Sequence, residues 1–534
     1  MNFGFVIDNR KCIGCHACTV ACKSEHDVPI GVNRTWVKYV EKGEFPDTRR
    51  LFSVMRCNHC ADAPCVEICP TQALHTRKDG IVDFDDRRCI SCKACTQACP
   101  YDSIYINPDS MVAQKCNYCT HRTDIGLEPA CVVVCPEHAI ISGDMDNPNT
   151  EISHLLARET VSVRKPEKGT NPKLFYIDGD RVSINPTATE VESDYMWSSQ
   201  AAGVGKYAKF AEERIGKIAT TRVSSPSVSA GSRQPQTNFV QIEPRKKKAK
   251  RVYDAPSKGV LWGWEVSAYI LTKAIAAGAF LIPIIAGYQM FVPDILKQIG
   301  AVVAFIFLGI TGVLLIMDLG RPDRFLYVLL RPQWRSWLSR GAYIITVYGG
   351  LLTAWLAASF LGYGEVLKFI EPFAIVFALL SAVYTAFLFA QAKGRDFWQS
   401  PMLGVHMILH SLMSGLAVFL IANLFLDNMN IGLIWILTVV TAASIIFHLI
   451  TLAIELTTTH ATSDAHKVAE MILKGRYSTA FWFGMILLGN FVPLVILLTA
   501  ESNIAVGLSG ILIFIGLGFA QHIWVKAPQE IPLS

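Results

Sequence analysis

All sixteen cysteines of this 534-residue chain fall in its first 135 residues, in four groups of four. They are Cys12, Cys15, Cys18, Cys22; Cys57, Cys60, Cys65, Cys69; Cys89, Cys92, Cys95, Cys99; and Cys116, Cys119, Cys131, Cys135. Sixteen thiolates at four per centre is the ligand set for four cubane [4Fe-4S] clusters, whose chemistry is single-electron transfer. Groups one and three read C-x2-C-x2-C-x3-C, group two C-x2-C-x4-C-x3-C and group four C-x2-C-x11-C-x3-C. Pro70, Pro100 and Pro136 follow the last cysteine of groups two, three and four, where proline turns the chain out of the preceding helix. Zinc sites favour isolated C-x2-C pairs over triplets with a trailing C-P. A disulfide framework belongs to small secreted domains. Iron is therefore the expected metal. Groups one and two against groups three and four also read as a duplicated ferredoxin unit.

The stretches CIGCHACTVACKSEHDVP, CNHCADAPCVEICP, CISCKACTQACPYDSIYI and CNYCTHRTDIGLEPACVVVCP resemble the four-cluster electron-transfer subunit of molybdopterin oxidoreductases. The resemblance covers about residues 1–190. It implies that group one shares clusters with group four, and group two with group three. One cluster would take Cys12, Cys15, Cys18 and Cys135, and its pair Cys116, Cys119, Cys131 and Cys22. A third would take Cys57, Cys60, Cys65 and Cys99, and the last Cys89, Cys92, Cys95 and Cys69.

The elements that position these groups divide the chain in three. Residues 1–190 are expected to form an α+β, double-ferredoxin-like domain, with strand-like pieces such as KLFYIDGDRVSI completing it. Residues 191–258 are rich in Ser, Ala, Thr and Gly, a composition that buries little and predicts a flexible linker. A short amphipathic helix is expected near 206–218. The linker ends in a basic run, Arg245, Lys246, Lys247, Lys248, Lys250 and Arg251. Its place before an apolar span points to anionic lipid rather than nucleic acid.

Residues 259–526 are expected to be an all-α bundle of eight transmembrane helices, near 264–288, 299–317, 341–362, 371–391, 402–425, 432–454, 479–500 and 503–525. Each is close to the ~20 residues that a crossing requires. Eighteen Lys and Arg lie on the side of the N-terminal domain, against only Lys297 and Lys368 on the other. That bias predicts a cytoplasmic-membrane protein with both termini and the cysteine domain in the cytoplasm. The opening MNFGFVIDNRKC has no apolar stretch before its cysteine, which predicts no export signal.

Ionisable side chains in a membrane are costly and often functional. Glu265, Tyr269 and Lys273 follow at four-residue steps on span one, and His406 and His410 are one turn apart on span five. His448 and Glu455 share a face of span six; Asp318 and Arg321 close span two. These groups cluster in the leaflet beside the cysteine domain. There they are expected to deliver protons to a quinone (ubiquinone or menaquinone) as electrons arrive. A Glu265–Lys273 ion pair, a haem or metal at His406 and His410, and an Asp318–Arg321 pair are the structural alternatives. DLGRPDRFLYVLLRPQWRSWLSRGAY after span two, the Trp262/Trp264 opening of span one with its AIAAGA stretch, and FWFGMILLGNFVPLVILL in span seven resemble the NrfD-type quinone-interacting membrane subunit of polysulfide-reductase-like complexes. Family quinone contacts lie in the stretch matching Trp264–Tyr269.

Together the two resemblances imply a fusion of two subunits that passes electrons between a molybdopterin catalytic partner and quinone. Sulfite or a related sulfur compound is the expected substrate class. A ferredoxin- or NADH-fed quinone module coupled to ion translocation, through Lys273 and Glu371, is the alternative from another class.

Overall fold

The computed structural model describes residues 1–44, 46–185, 188–189, 249–255, 257–426, 431–500 and 502–534. The linker from 191 to 248, the helix expected near 206–218 and the basic residues 245–248 lie outside the described residues.

Strand β1 (Phe3–Asp8) organises the first domain, because both its faces are buried. Phe5 and Ile7 pack with Cys18, Tyr118 and Cys131, while Val6 packs with Ile141, Ile152 and Ile177 on the opposite face, as the two-residue strand period requires. A second sheet pairs β2 (Thr35–Lys42) with β3 (Arg49–Arg56). Two short antiparallel hairpins follow along the chain, β4 (Leu74–Thr76) with β5 (Val82–Phe84) and β6 (Ile104–Ile106) with β7 (Ala113–Lys115). Strand β8 (Ile140–Asp144) joins β1 antiparallel and β10 (Leu174–Ile177) joins it parallel, with β9 (Val161–Ser162) at the edge. The strand expected in KLFYIDGDRVSI is β10; its second half is a helical turn, Arg181–Ile184, capped by Asp180.

The third strand of the second sheet corrects the expected linker. Residues Ala249–Tyr253 form β11 and pair with β2. Arg251 is an interior residue, 3.0 Å from Asp254 with both side chains 3% exposed, and Trp36 Nε1 donates to Asp254 at 2.7 Å. The end of the basic run is thus part of the cysteine domain and not a lipid anchor. Composition alone points its charge outward, and a buried carboxylate partner reverses that.

Among the described residues, eight helices long and apolar enough to cross a membrane follow. Spans one to eight are Trp264–Gly287, Asp294–Met317, Trp337–Leu361, Gly364–Gln391, Met402–Ala422, Ile431–Thr457, Ala480–Thr499 and Asn503–Lys526. Spans two and four start earlier than the apolar runs, because interfacial turns carrying Asp294, Lys297, Glu365 and Lys368 remain helical. The AIAAGA stretch lets spans one and five touch backbone to backbone. A Cβ on Gly278 would collide with the Ser411 carbonyl, and small residues at such crossings are how membrane helices gain close packing.

The two halves share one apolar core that runs from Cys60, Cys69 and Cys95 to Trp262, Phe389 and Trp524. Basic residues counted toward membrane orientation bind the cysteine domain as well. Arg324 donates to the carbonyls of Asp86 and Cys89 at 2.7 and 3.0 Å, Arg395 donates to Gln97 at 2.9 Å, and Lys258 donates to Asp102 at 2.8 Å. Lys168 pairs with Asp396. Lys165 is buried 3.9 Å from Asp464, with no hydrogen bond among the described residues. Burial pushes its pKa down to about 7, with Asp464 opposing. The unfolded protein then holds more protons than the folded one between pH 7 and the ordinary lysine pKa of about 10.4. Stability should therefore rise with pH across that window. We expect the melting temperature of the detergent-solubilised protein to climb from pH 7 to 9, and Lys165→Met to flatten that climb; parallel slopes would refute it.

Candidate functional site

The cysteine loops are held in backbone conformations that residues with a Cβ rarely adopt. Gly14, His16, His59, Ser91, Lys93, Tyr118 and Cys119 all have positive φ, at about 1–2 kcal/mol for each non-glycine. Such turns aim successive N–H groups inward. His59 N donates to Cys57 Sγ at 3.5 Å, Ser91 N and Ala113 N to Cys89 Sγ at 3.4 Å, and Ala139 N to Cys135 Sγ at 3.2 Å. None of the sixteen cysteines is in a disulfide.

The thiols fall into four neighbourhoods. Cys12 interacts with Cys15 and Cys135, and Cys22 with Cys116, Cys119 and Cys131. Cys65 interacts with Cys57, Cys60 and Cys99, and Cys92 with Cys69 and Cys89. The short helix Ala17–Glu25 carries both Cys18 and Cys22, one turn apart, so one helix serves two neighbourhoods. Electrostatic coupling between neighbourhoods runs in series through Cys18 with Cys131, Cys57 with Cys116, and Cys95 with Cys65. Two buried cations lie along this series. Arg56 donates to Cys131 Sγ at 2.8 Å, and Lys115 donates to the Cys116 carbonyl at 2.9 Å. Four cysteines per neighbourhood, N–H donors aimed at sulfur and buried compensating cations suit an anionic iron–sulfur cluster.

The series ends at the membrane half. Beneath Cys92 lies a cavity of about 210 Å³, lined among others by Trp262, Tyr269, Gly312, Asp318 and Tyr384. Drug-sized ligands occupy roughly 300–1,000 Å³, so this cavity suits one substituted ring. Trp262 Nε1 donates to the Cys92 carbonyl at 3.0 Å and stacks on Trp398. Asp318 accepts from Lys93 at 3.0 Å. Burial lifts its pKa to about 6 against the pull of Lys93. Phe325 and Thr346, both exposed, also line the cavity.

The expected site residues separate into two places. Tyr269 lines the Cys92 cavity; Glu265 lies beside it, within electrostatic range of Asp318. Lys273 is fully buried one turn deeper, donates to Thr385 and lies 4.2 Å from the Tyr384 ring centre. It makes no ion pair with Glu265 among the described residues. Asp318 and Arg321 do not pair either: Arg321 bonds Asp323 at 3.0 Å, because the loop presents Asp318 to the cysteine domain. His406 and His410 do not line this cavity. They meet His448 and Glu455 between spans five and six, with His406 Nε2 2.9 Å from Glu455 and His410 Nε2 3.1 Å from His448 Nε2. Sequence reasoning missed Lys93 and Tyr384. Lys93, a charge inside a tight cysteine triplet, was the one legible signal.

Comparison with known proteins gives the same division. Residues 254–527 match the family Polysulphide reductase, NrfD. Residues 11–74 and 48–145 match 4Fe-4S dicluster domains. A tetrathionate reductase subunit of Salmonella typhimurium is 42% identical over 188 residues, a match covering 34% of this protein and 75% of the relative. The arsenate respiratory reductase iron–sulfur subunit ArrB of a Shewanella species is 35% identical over 225 residues, covering 33% and 96%. Protein NrfC of Escherichia coli is 41% identical over 181 residues, covering 33% and 81%. This is thus a 4Fe-4S electron-transfer protein that belongs to the NrfD polysulphide reductase family and carries, ahead of its membrane domain, the iron–sulfur subunit of such reductases.

Proposed function

We propose that this protein passes electrons between a catalytic partner and membrane quinone, with the quinone ring in the cavity under Cys92. The observation that carries the reading is that one cavity is lined by Cys92 of the last cysteine neighbourhood, by Tyr269 and by Asp318. Four [4Fe-4S] clusters held by the four neighbourhoods supply one-electron steps. The residues do the rest. The N–H groups and the Arg56 and Lys115 cations hold negative charge in the buried series. Trp262 fixes the Cys92 loop over the cavity. Quinone becomes quinol by gaining two electrons and two protons, and Tyr269 and Asp318 are placed to exchange those protons. Quinol oxidation runs the same groups in reverse. Tyr269→Phe should lower quinone-dependent turnover by about 10²–10⁴-fold, the usual worth of a positioned proton donor. Quinol-driven cluster reduction followed by electron paramagnetic resonance tests this, and unchanged rates in Tyr269→Phe and Asp318→Asn would remove the cavity from the reaction.

At the other end, Cys15 is exposed, as are Ile13, Val20 and Ile30 of the same segment, at 55%, 65% and 72%. An uncovered apolar patch marks a protein interface, which supports a docked molybdopterin subunit there. The sulfur compounds named in the relatives support a sulfur oxyanion such as sulfite as its substrate. The basic bias of the loops supports a cytoplasmic cysteine domain with both termini on that side, lipid around the spans and no nucleic acid. Buried Lys273, without an acidic partner among the described residues, favours ion translocation as a second reading. Lys273→Met would then abolish proton translocation while quinone turnover continued.

A further inference from the structure

The histidine group between spans five and six lies apart from the quinone cavity. The geometry points to a binding site for one divalent transition-metal ion of the zinc class, held by His406, His410 and His448, with the Glu455 carboxylate beside His406. Ligand nitrogens of the three imidazoles all lie within 4.8 Å of one another. His406, His448 and Glu455 are 2%, 0% and 4% exposed. Two nitrogens on one tetrahedral zinc lie about 3.3 Å apart, given Zn–N bonds of about 2.0–2.1 Å. His410 and His448 Nε2 are 3.1 Å apart.

The surroundings prepare lone pairs rather than protons. Asn490 Nδ2 donates to the Met485 carbonyl at 2.7 Å, so its Oδ1 is an acceptor. His448 Nδ1, 3.0 Å away, must then donate to it, which leaves His448 Nε2 as a lone pair aimed at the centre. Gln521 Nε2 lies 2.7 Å from His410 Nδ1 and donates to it as placed. Metal binding requires that amide to turn, so that its oxygen accepts the Nδ1–H and His410 Nε2 is freed. An outer acceptor fixing the tautomer is the usual support of a metal-bound histidine. Neither ring nitrogen of His406 and neither Glu455 oxygen has a hydrogen-bond partner among the described residues. Their 2.9 Å contact is off the line a hydrogen bond needs. These four atoms are buried and unpartnered beside the His410–His448 pair.

Two further features serve a metal. Asn490 stands on a π-helical stretch, Ala480–Phe491, and π-helical turns recur at functional sites. Glu455 lines a second cavity of about 530 Å³, with His460 and Asp396, on the side of the cysteine domain. That cavity is an entry path for a hydrated ion. A divalent charge would also offset the buried carboxylate.

The test uses the full-length, cluster-loaded protein in detergent, equilibrated with micromolar Zn²⁺ and desalted. Plasma mass spectrometry should find about one zinc per chain. His410→Gln and His448→Gln should lose it with iron unchanged. No retained zinc in the wild type, or equal zinc in the double variant, would overturn the site. Because such variants can unfold, zinc-edge X-ray absorption on the wild type decides independently. Nitrogen and oxygen neighbours with imidazole scattering support the site, whereas sulfur neighbours would put the zinc on the cysteines and refute it.

Discussion

A Gly312→Phe protein will keep its iron and lose its reaction with quinone. Gly312 lines the Cys92 cavity, and a Cβ built on it meets no atom within 4 Å. A larger side chain therefore starts in open space and does not break a helix contact. A phenyl group fills much of a cavity of about 210 Å³. Turnover with quinone should fall at least tenfold, equivalent to about 1.4 kcal/mol of transition-state stabilisation. Chemical reduction of the clusters should be unchanged. Steady-state quinone assays beside iron analysis check this. Full activity in Gly312→Phe would show that quinone reacts elsewhere, and lost iron would show that the side chain disturbed packing instead.

Cys22→Ala will cut the electron path in its middle. Cys22 sits on the same helix as Cys18 yet neighbours Cys116, Cys119 and Cys131. A four-cluster protein holds about sixteen irons, so loss of one cluster leaves about twelve. The neighbourhoods of Cys92 and Cys65 should still be reduced by quinol, because they lie on the membrane side of the break. Transfer from a donor at the Cys15 end to quinone should fall by orders of magnitude. Electron paramagnetic resonance after quinol addition, with a donor-to-quinone assay, separates the two. A full path with about twelve irons would refute the serial order. Losing the signal of the Cys12, Cys15 and Cys18 cluster alone would move Cys22 out of its proposed set.

Much of this was legible because ligand spacing and hydropathy are local properties. The four cysteine groups, eight spans and the Tyr269 position need only residue type and separation along the chain. What stayed hidden depends on contacts across the fold. Whether Asp318 pairs with Arg321 or Lys93 depends on where a loop docks, 225 positions from its partner. His406 and His410 group with Tyr269 in the sequence because leaflet depth is visible there; that they lie apart from the Cys92 cavity is set by helix adjacency, which is not visible. Strand β11 was invisible for a related reason. Lys250 and Arg251 resemble a lipid anchor until β2 and Asp254 are seen beside them.

Strand β11 also sets a schedule for biogenesis. The second sheet gains its third strand from residues 249–253, and span one begins at Trp264. A domain made first ordinarily folds first during synthesis. Here the ribosome must nearly reach the membrane-inserting segment before the cysteine domain can close. Iron delivery and membrane targeting then compete for the same nascent polypeptide.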